Sequence, residues 1–256
     1  MTTPGEAPRR VAPAPGPADV GLVAATSIEV DALIRRFTRV RKYHGPRHRV
    51  VEGECGGKLV ALTVAGMGRG AARRGTQLLL DGHRPQWVVS AGYGGALDPA
   101  LRRNDVVLPD EVIDEAGARF RIDVALPPGP ADRRFGTGRL VTVDRLIMTA
   151  AEKAALRSRF GADVVDMETA AVAAVCHERG VRFLALRVIS DEAGVDLPRE
   201  VLAIVGPSGS YRVGAAVGAI WKRPSSLKDL WALREHAVEA ADRLADVMPA
   251  VLAQLS

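Results

Sequence analysis

The stretch from Val164 to Asp191, VVDMETAAVAAVCHERGVRFLALRVISD, constrains the fold more than any other. Val181 to Ile189 is a near-continuous apolar run broken only by Arg182 and Arg187, the pattern of a strand covered on both faces. Ala170 to Cys176 reads as an amphipathic helix, and Gly180 ends it in the C′ position. A strand buried on both sides needs helices above and below it, which places the chain among α/β folds. The opening of the stretch is odd: Asp166 and Glu168 flank Met167 where apolar packing is expected. Carboxylates at the two ends of one β-α-β element then converge on a single sheet edge, where ligands sit in α/β folds.

The rest of the chain repeats the alternation. Asp19–Thr26, DVGLVAAT, reads as a first buried strand, followed by a helix from about Ser27 to about Phe37 carrying Glu29 and Asp31 at its start. A basic loop from Arg39 to Arg49 comes next. Val50–Glu54 and Lys58–Ala65 read as strands around Gly56-Gly57, a two-residue hairpin signal. Gly66, Gly68 and Gly70 precede a helix ending near Gly82; Trp87–Ala91 is a strand that runs into Gly92-Tyr93-Gly94-Gly95. Asp105–Ile113 is extended, a Pro/Gly-rich excursion follows through Gly138, and Leu140–Val143 and Thr149–Phe160 read as a strand and a helix. Leu230, Ala237, Ala241, Leu244, Met248 and Val251 recur at helical spacing in a long C-terminal helix, with Pro249 expected to kink it. The expected architecture is one three-layer αβα domain over residues 20–256, built on a mostly parallel or mixed, twisted sheet.

Composition adds limits. Hydrophobic residues make up 47% but aromatics only 4%, so the core must be built of Ala, Val and Leu. Cys55 and Cys176 do not make a disulfide framework, and a reduced, cytoplasmic setting is expected. Residues 1–19, rich in Pro, Ala and Gly, read as a disordered tail. No segment offers about 18 uninterrupted apolar residues, so no transmembrane helix is expected.

Five segments, in order, resemble the superfamily of purine nucleoside phosphorylases and methylthioadenosine/S-adenosylhomocysteine nucleosidases: VGLVAATSIEV (20–30), AGMGRGAA (65–72), SAGYGGALDPALRRNDVVLPDEV (90–112), GRLVTVDRLI (138–147) and VVDMETAAVAAVCHERGVRFLALRVISD (164–191). The tail from about Glu192, and TAAEKAALRSRFGADVVDMET (149–169), look more like the hopanoid-associated branch, which cleaves adenine from an adenosyl lipid. The resemblance implies hydrolysis of the N-glycosidic bond of a 5′-substituted purine nucleoside, with adenine the expected base and no cofactor or metal. Phosphorolysis, including of an adenosyl-hopanoid, and a non-catalytic nucleoside-binding or storage protein are the alternatives.

Breaking that bond passes through a ribosyl cation-like state, so the purine must be neutralised as it leaves and a nucleophile presented to the anomeric carbon. The resemblance assigns Asp191 as general acid toward N7, which needs a carboxyl kept neutral by burial or by its neighbours, with Ser190 to orient it. Glu29 would activate water, where phosphorylases use arginines and a serine; Ser90 stands where a phosphate-binding arginine falls in the bacterial phosphorylases. Glu168 would grip the ribose hydroxyls, Met167 pack on the sugar, and Ile147 hold the base through its backbone. Gly68, in the loop Gly66 to Gly70, would bring backbone N–H groups to an anion or to the water, with the charge of Arg69 nearby. Each has a plainer reading. Asp191 is also a plausible helix cap, Glu29 and Glu168 ordinary first-turn residues, Met167 core filler, and Asp166 a solvated carboxylate. Two departures bear on substrate: Tyr93 replaces a serine near the sugar, and Leu146 replaces a phenylalanine that stacks on adenine.

Net charge is +5, and residues 212–234 alone carry Arg212, Lys222, Arg223, Lys228 and Arg234 against Asp229, with Trp221 and Trp231 interleaved. That is a surface for weak contact with anionic lipid at the inner membrane face, or a solvated basic face. No motif supports nucleic-acid binding. Family members assemble as dimers or hexamers, so a homo-oligomer is expected.

Overall fold

The computed structural model describes residues 16–44, 49–122, 135–198 and 226–256. Its strands are β1 (Val20–Ala24), β2 (Thr38–His44), β3 (Arg49–Cys55), β4 (Lys58–Val64), β5 (Trp87–Ala96), β6 (Val106–Asp114), β7 (Arg119–Arg121), β8 (Phe135–Thr142), β9 (Val164–Asp166) and β10 (Arg182–Asp191). Its helices are α1 (Ser27–Ile34), α2 (Arg69–His83), α3 (Ala150–Phe160), α4 (Thr169–Arg179) and α5 (Ser226–Ala253).

Successive residues of the central strands point to opposite faces, and the two faces bury different helices. Leu22, Leu62 and Val89 meet Leu33 of α1 and Leu244 and Met248 of α5. Their neighbours Val23, Ala61 and Val88 meet Ala72 and Leu79 of α2 and Val172 of α4. That is the expected three-layer arrangement, and its core is Ala, Val and Leu as the composition requires.

β5 is the pivot. Its first half lies between β1 and β10, both parallel to it, while Gly95 and Ala96 pair antiparallel with β9. β10 also pairs with β6, β6 with β8, and β8 with β9, so five strands close into a ring around the end of β5. The sheet is mixed, with five parallel and five antiparallel pairings. One expectation is corrected here. β9 and β10 run in opposite senses along β5, so 164–191 is not a parallel crossover. The three-residue β9 is too short to carry an orientation signal in its sequence.

Other boundaries moved for identifiable reasons. Arg39–Arg49 is not all loop: β2 pairs antiparallel with β3, with a register shift at Thr38/Arg41 where Arg39 has φ 52°. β2 ends the strand order, and charged side chains suit an exposed edge. The Gly56-Gly57 hairpin forms as expected, with φ of 59° and 74°. Ala18, assigned to the tail, belongs to the domain: it is buried and donates its N–H to the His83 carbonyl, and the neighbouring Asp19 N–H donates to the Leu59 carbonyl. α5 continues through Pro249 and buries Ala241, Leu244, Met248 and Val251. Among the described residues no helix is long and apolar enough to cross a membrane. Of the basic stretch 212–234, residues 212–225 lie outside the described residues, as does 123–134 of the Pro/Gly-rich excursion.

Candidate active site

Glu29 is not an exposed first-turn residue. At the third position of α1 it turns inward, 6% exposed, against the middle of β5. Its Oε2 accepts the Thr26 N–H at 2.7 Å and its Oε1 accepts the Tyr93 N–H at 3.2 Å. Gly92 makes this approach possible, because a Cβ there would lie 2.7 Å from Glu29 Oε1. Burial pushes the Glu29 carboxyl above the usual carboxylate range, against the Thr26 amide and the charge of Arg187.

Glu168 caps the N-terminus of α4, and its carboxylate is held from across the molecule. The Gly68 N–H donates to Oε1 at 2.6 Å and the Met167 N–H to Oε2 at 3.3 Å. The loop at the start of α2 thus spends the Gly68 N–H on the chain's own Glu168 carboxyl. Burial, and then the nearby Asp166 and Glu29 carboxylates, push Glu168 up to about 8. Arg69 is not free to serve an anion either, being paired with Asp114 and Asp144.

Beneath these two acids lies a fully buried network. Asp166 is 7% exposed and Arg187 2%, which corrects the solvated reading of Asp166. The guanidinium donates from Nη2 and Nε to Asp166 Oδ2 at 2.7 and 3.2 Å. It donates to Ser90 Oγ at 2.8 Å, Thr169 Oγ1 at 2.6 Å, and the Ser90 and Leu186 carbonyls at 2.9 Å each. Thr142 Oγ1 supplies Asp166 Oδ1 at 2.6 Å. An arginine has five N–H donors, and here the protein takes all of them. Arg187 had no assigned role from sequence, though its signal was present: a charge interrupting an otherwise apolar strand.

Asp191 ends β10 opposite Gly95, where a Cβ would lie 3.2 Å from its Oδ2. Ser190 Oγ donates to Oδ1 at 2.6 Å, so the expected orienting contact is present. The neighbour at Oδ2 was not foreseen. Lys153 Nζ sits 2.6 Å away on α3, its side chain 1% exposed.

A small cavity opens between α1, the glycine loop and β5, lined by Val23, Ala25, Glu29, Tyr93, Glu168 and Arg187. Asp191 is not in its wall; it lies three β5 residues farther along, since Arg187 pairs with Gly92 and Asp191 with Gly95. Tyr93 reaches away from the sheet, its hydroxyl donating to the Ala237 carbonyl of α5 at 2.5 Å. Met167 and Ile147 are 8% and 4% exposed and are outside the cavity wall; the Ile147 side chain packs with Leu97, Ile113 and Val141.

A mixed sheet curled around a glycine-rich strand, with carboxylates gathered at its midpoint, defines an α/β protein built for acid–base work on a small molecule. The chain belongs to the phosphorylase superfamily, whose family model matches residues 19–207. It is 32% identical over 203 residues, covering 69% of this chain and 88% of the relative, to a 5′-methylthioadenosine/S-adenosylhomocysteine nucleosidase of Actinobacillus succinogenes. A protein of the same description from Tolumonas auensis is 29% identical over 223 residues, covering 77% of this chain and 97% of the relative. Among solved structures, that of the S. pneumoniae nucleosidase with a transition-state inhibitor superposes with a TM-score of 0.71 at 19% identity, covering 93% of this chain and 99% of that one.

Proposed function

We propose that this chain hydrolyses the N-glycosidic bond of a 5′-substituted adenine nucleoside, with water rather than phosphate as the nucleophile. The observation that carries this is the pairing of a buried carboxylate oriented by the Thr26 and Tyr93 amides, Glu29, with an arginine that has nothing left to offer a phosphate. Arg187, the arginine of the cavity wall, gives its donors to Asp166, Ser90 and Thr169 and to main-chain carbonyls. The nucleosidase names of the relatives support the same substrate class.

The C1′–N9 bond breaks with its electron pair passing to the purine. Asp191 delivers a proton to N7, water oxygen bonds C1′, and Glu29 takes the proton that water gives up. A base works best when its proton affinity lies near the working pH, and burial moves Glu29 in that direction. Glu168, pushed up to about 8, carries a proton at neutral pH in the empty site, leaving Glu29 the better holder of negative charge. The two sugar-side acids thus bracket the ribose without two full charges facing each other. Three residues of β5 separate the Glu29 and Asp191 positions, roughly 10 Å along the strand, enough for a water and a sugar–base bond between them.

Adenine release from methylthioadenosine in phosphate-free buffer tests the reading. Turnover unchanged by added phosphate is expected; a strict phosphate requirement would refute it. The same assay with adenosylhomocysteine, inosine and an adenosyl lipid reports the base and the 5′ group accepted. In this reading the chain works in the cytoplasm as a homo-oligomer, as the superfamily resemblance supports. The charge of residues 212–234 supports weak anionic-membrane contact, which pelleting with anionic vesicles at low salt checks.

A further inference from the structure

We infer that Tyr93 is a positioning residue for the reaction, its amide holding the Glu29 carboxyl while its phenol ties that contact to the long helix α5. The inference rests on the reading in which Glu29 takes a proton from water, and gives Tyr93 a part in it beyond lining the cavity.

Two main-chain donors aim the Glu29 carboxyl: the Thr26 N–H on Oε2 at 2.7 Å and the Tyr93 N–H on Oε1 at 3.2 Å. The first belongs to the cap of α1 and travels with that helix. The second comes from β5, so it lasts only while α1 stays close to the strand. Gly92 permits the approach, because a Cβ there would lie 2.7 Å from Oε1. Permission is not attachment, and the attachment is the Tyr93 phenol. Its hydroxyl donates to the Ala237 carbonyl of α5 at 2.5 Å, and the Ile28 carbonyl, one residue before Glu29, lies 3.5 Å from the same oxygen. A hydroxyl has one proton, so the bond to α5 is the strong contact and Ile28 the weak one. α1 in turn packs against α5, where Leu33 meets Leu244 and Met248. One side chain thus pins strand, short helix and long helix together at the residue whose amide holds the base.

The Tyr93 amide, with Thr26 and Arg187, opposes the upward push of burial on Glu29. Without the phenol anchor, α1 and β5 can part. A contact already at 3.2 Å then lengthens, the Glu29 anion loses a donor, and water loses a fixed acceptor. Misplacing a reacting group by an ångström can cost about 10²-fold in rate. Arg187 and Glu168 are the other charged groups that act on or feel Glu29, and a change confined to the phenol leaves both in place.

The experiment is kcat, KM and the pH profile of kcat/KM for adenine release from methylthioadenosine by wild type, Tyr93→Phe, Glu29→Gln and the double variant. Phe keeps the ring and the amide, so the first change tests the hydroxyl alone. We expect kcat to fall about 10-fold with KM within about twofold of wild type. A weaker donor leaves the carboxylate less stabilised, so the acidic limb should move up by about half a pH unit. The double variant should be no slower than Glu29→Gln, because Tyr93 acts through Glu29. Wild-type kcat with an unmoved limb would overturn the inference whatever happens to Tm, and so would losses that add in the double variant. NMR of wild type gives a check independent of any variant. The Tyr93 amide proton should shift with pH in step with the acidic limb, and a resonance indifferent to that titration overturns the clamp. Failure of the underlying reading looks different: Glu29→Gln would then turn over close to wild type, whatever Tyr93→Phe does.

Discussion

The site has two sides that treat carboxylates in opposite ways. On the sugar side Glu29 and Glu168 are gripped by backbone N–H groups, and the nearest cation, Arg187, is spent on Asp166. On the base side Asp191 has a lysine of its own. Amides orient a carboxylate without supplying a full charge, so burial wins and both sugar-side acids are pushed up. Asp191 instead has the Lys153 Nζ at 2.6 Å from its Oδ2. The contrast sets two kinds of carboxylate environment some 10 Å apart, roughly three strand residues.

The largest effect expected from breaking that contrast is at Glu29. Glu29→Gln keeps the shape and one acceptor but cannot take a proton from water. Its kcat should fall by ~10²–10⁴-fold with KM little changed. The check is adenine release under saturating substrate; a variant within about threefold of wild type would remove Glu29 from the mechanism.

Next comes the shared cation. Arg187→Met strands the Asp166 carboxylate in a site where it is 7% exposed, with only hydroxyl and amide donors left. Breaking a buried pair from one side costs about 3–5 kcal/mol, so a fall in Tm of about 10 °C is expected. Adding Asp166→Asn should recover a large part of that fall, because the uncompensated charge goes with it. Thermal unfolding of wild type and the two variants measures both, and no recovery would mean the loss comes from packing.

Much of this was legible in the chain itself. The acids, the glycine loops, the hairpin at Gly56-Gly57 and the αL glycine after α4 each announce themselves within a few residues. What stayed hidden pairs residues far apart: Gly68 with Glu168 across 100 positions, Tyr93 with Ala237 across 144. Lys153 looked like an ordinary helix lysine because only the folded loop after β10 surrounds it with acceptors. Strand direction at β9 was equally invisible, since three residues can pair either way. Arg187 was visible as a break in an apolar run, but its partner was not, because Asp166 finds it only when β10 lies beside β5 and α4 begins above them.

The smallest effect expected is the most discriminating for the sugar side. Glu168 binds its proton more tightly in the folded chain, at about 8, than at its ordinary value of 4.5. The folded state is therefore favoured by that proton in full below pH 4.5, and the advantage drains away as pH rises toward 8. Glu168→Gln never had it. Relative to wild type the variant should gain stability steadily between pH 5 and pH 8, reaching a few kcal/mol at most, and level off above about pH 8. Gln keeps an oxygen for the Gly68 N–H, so the tie between the start of α4 and the glycine loop survives the change. Denaturant midpoints of both proteins at pH 5, 6.5 and 8 give the slope directly. A difference that does not vary with pH would mean Glu168 is ionised throughout, and burial would then not govern the sugar-side carboxyl.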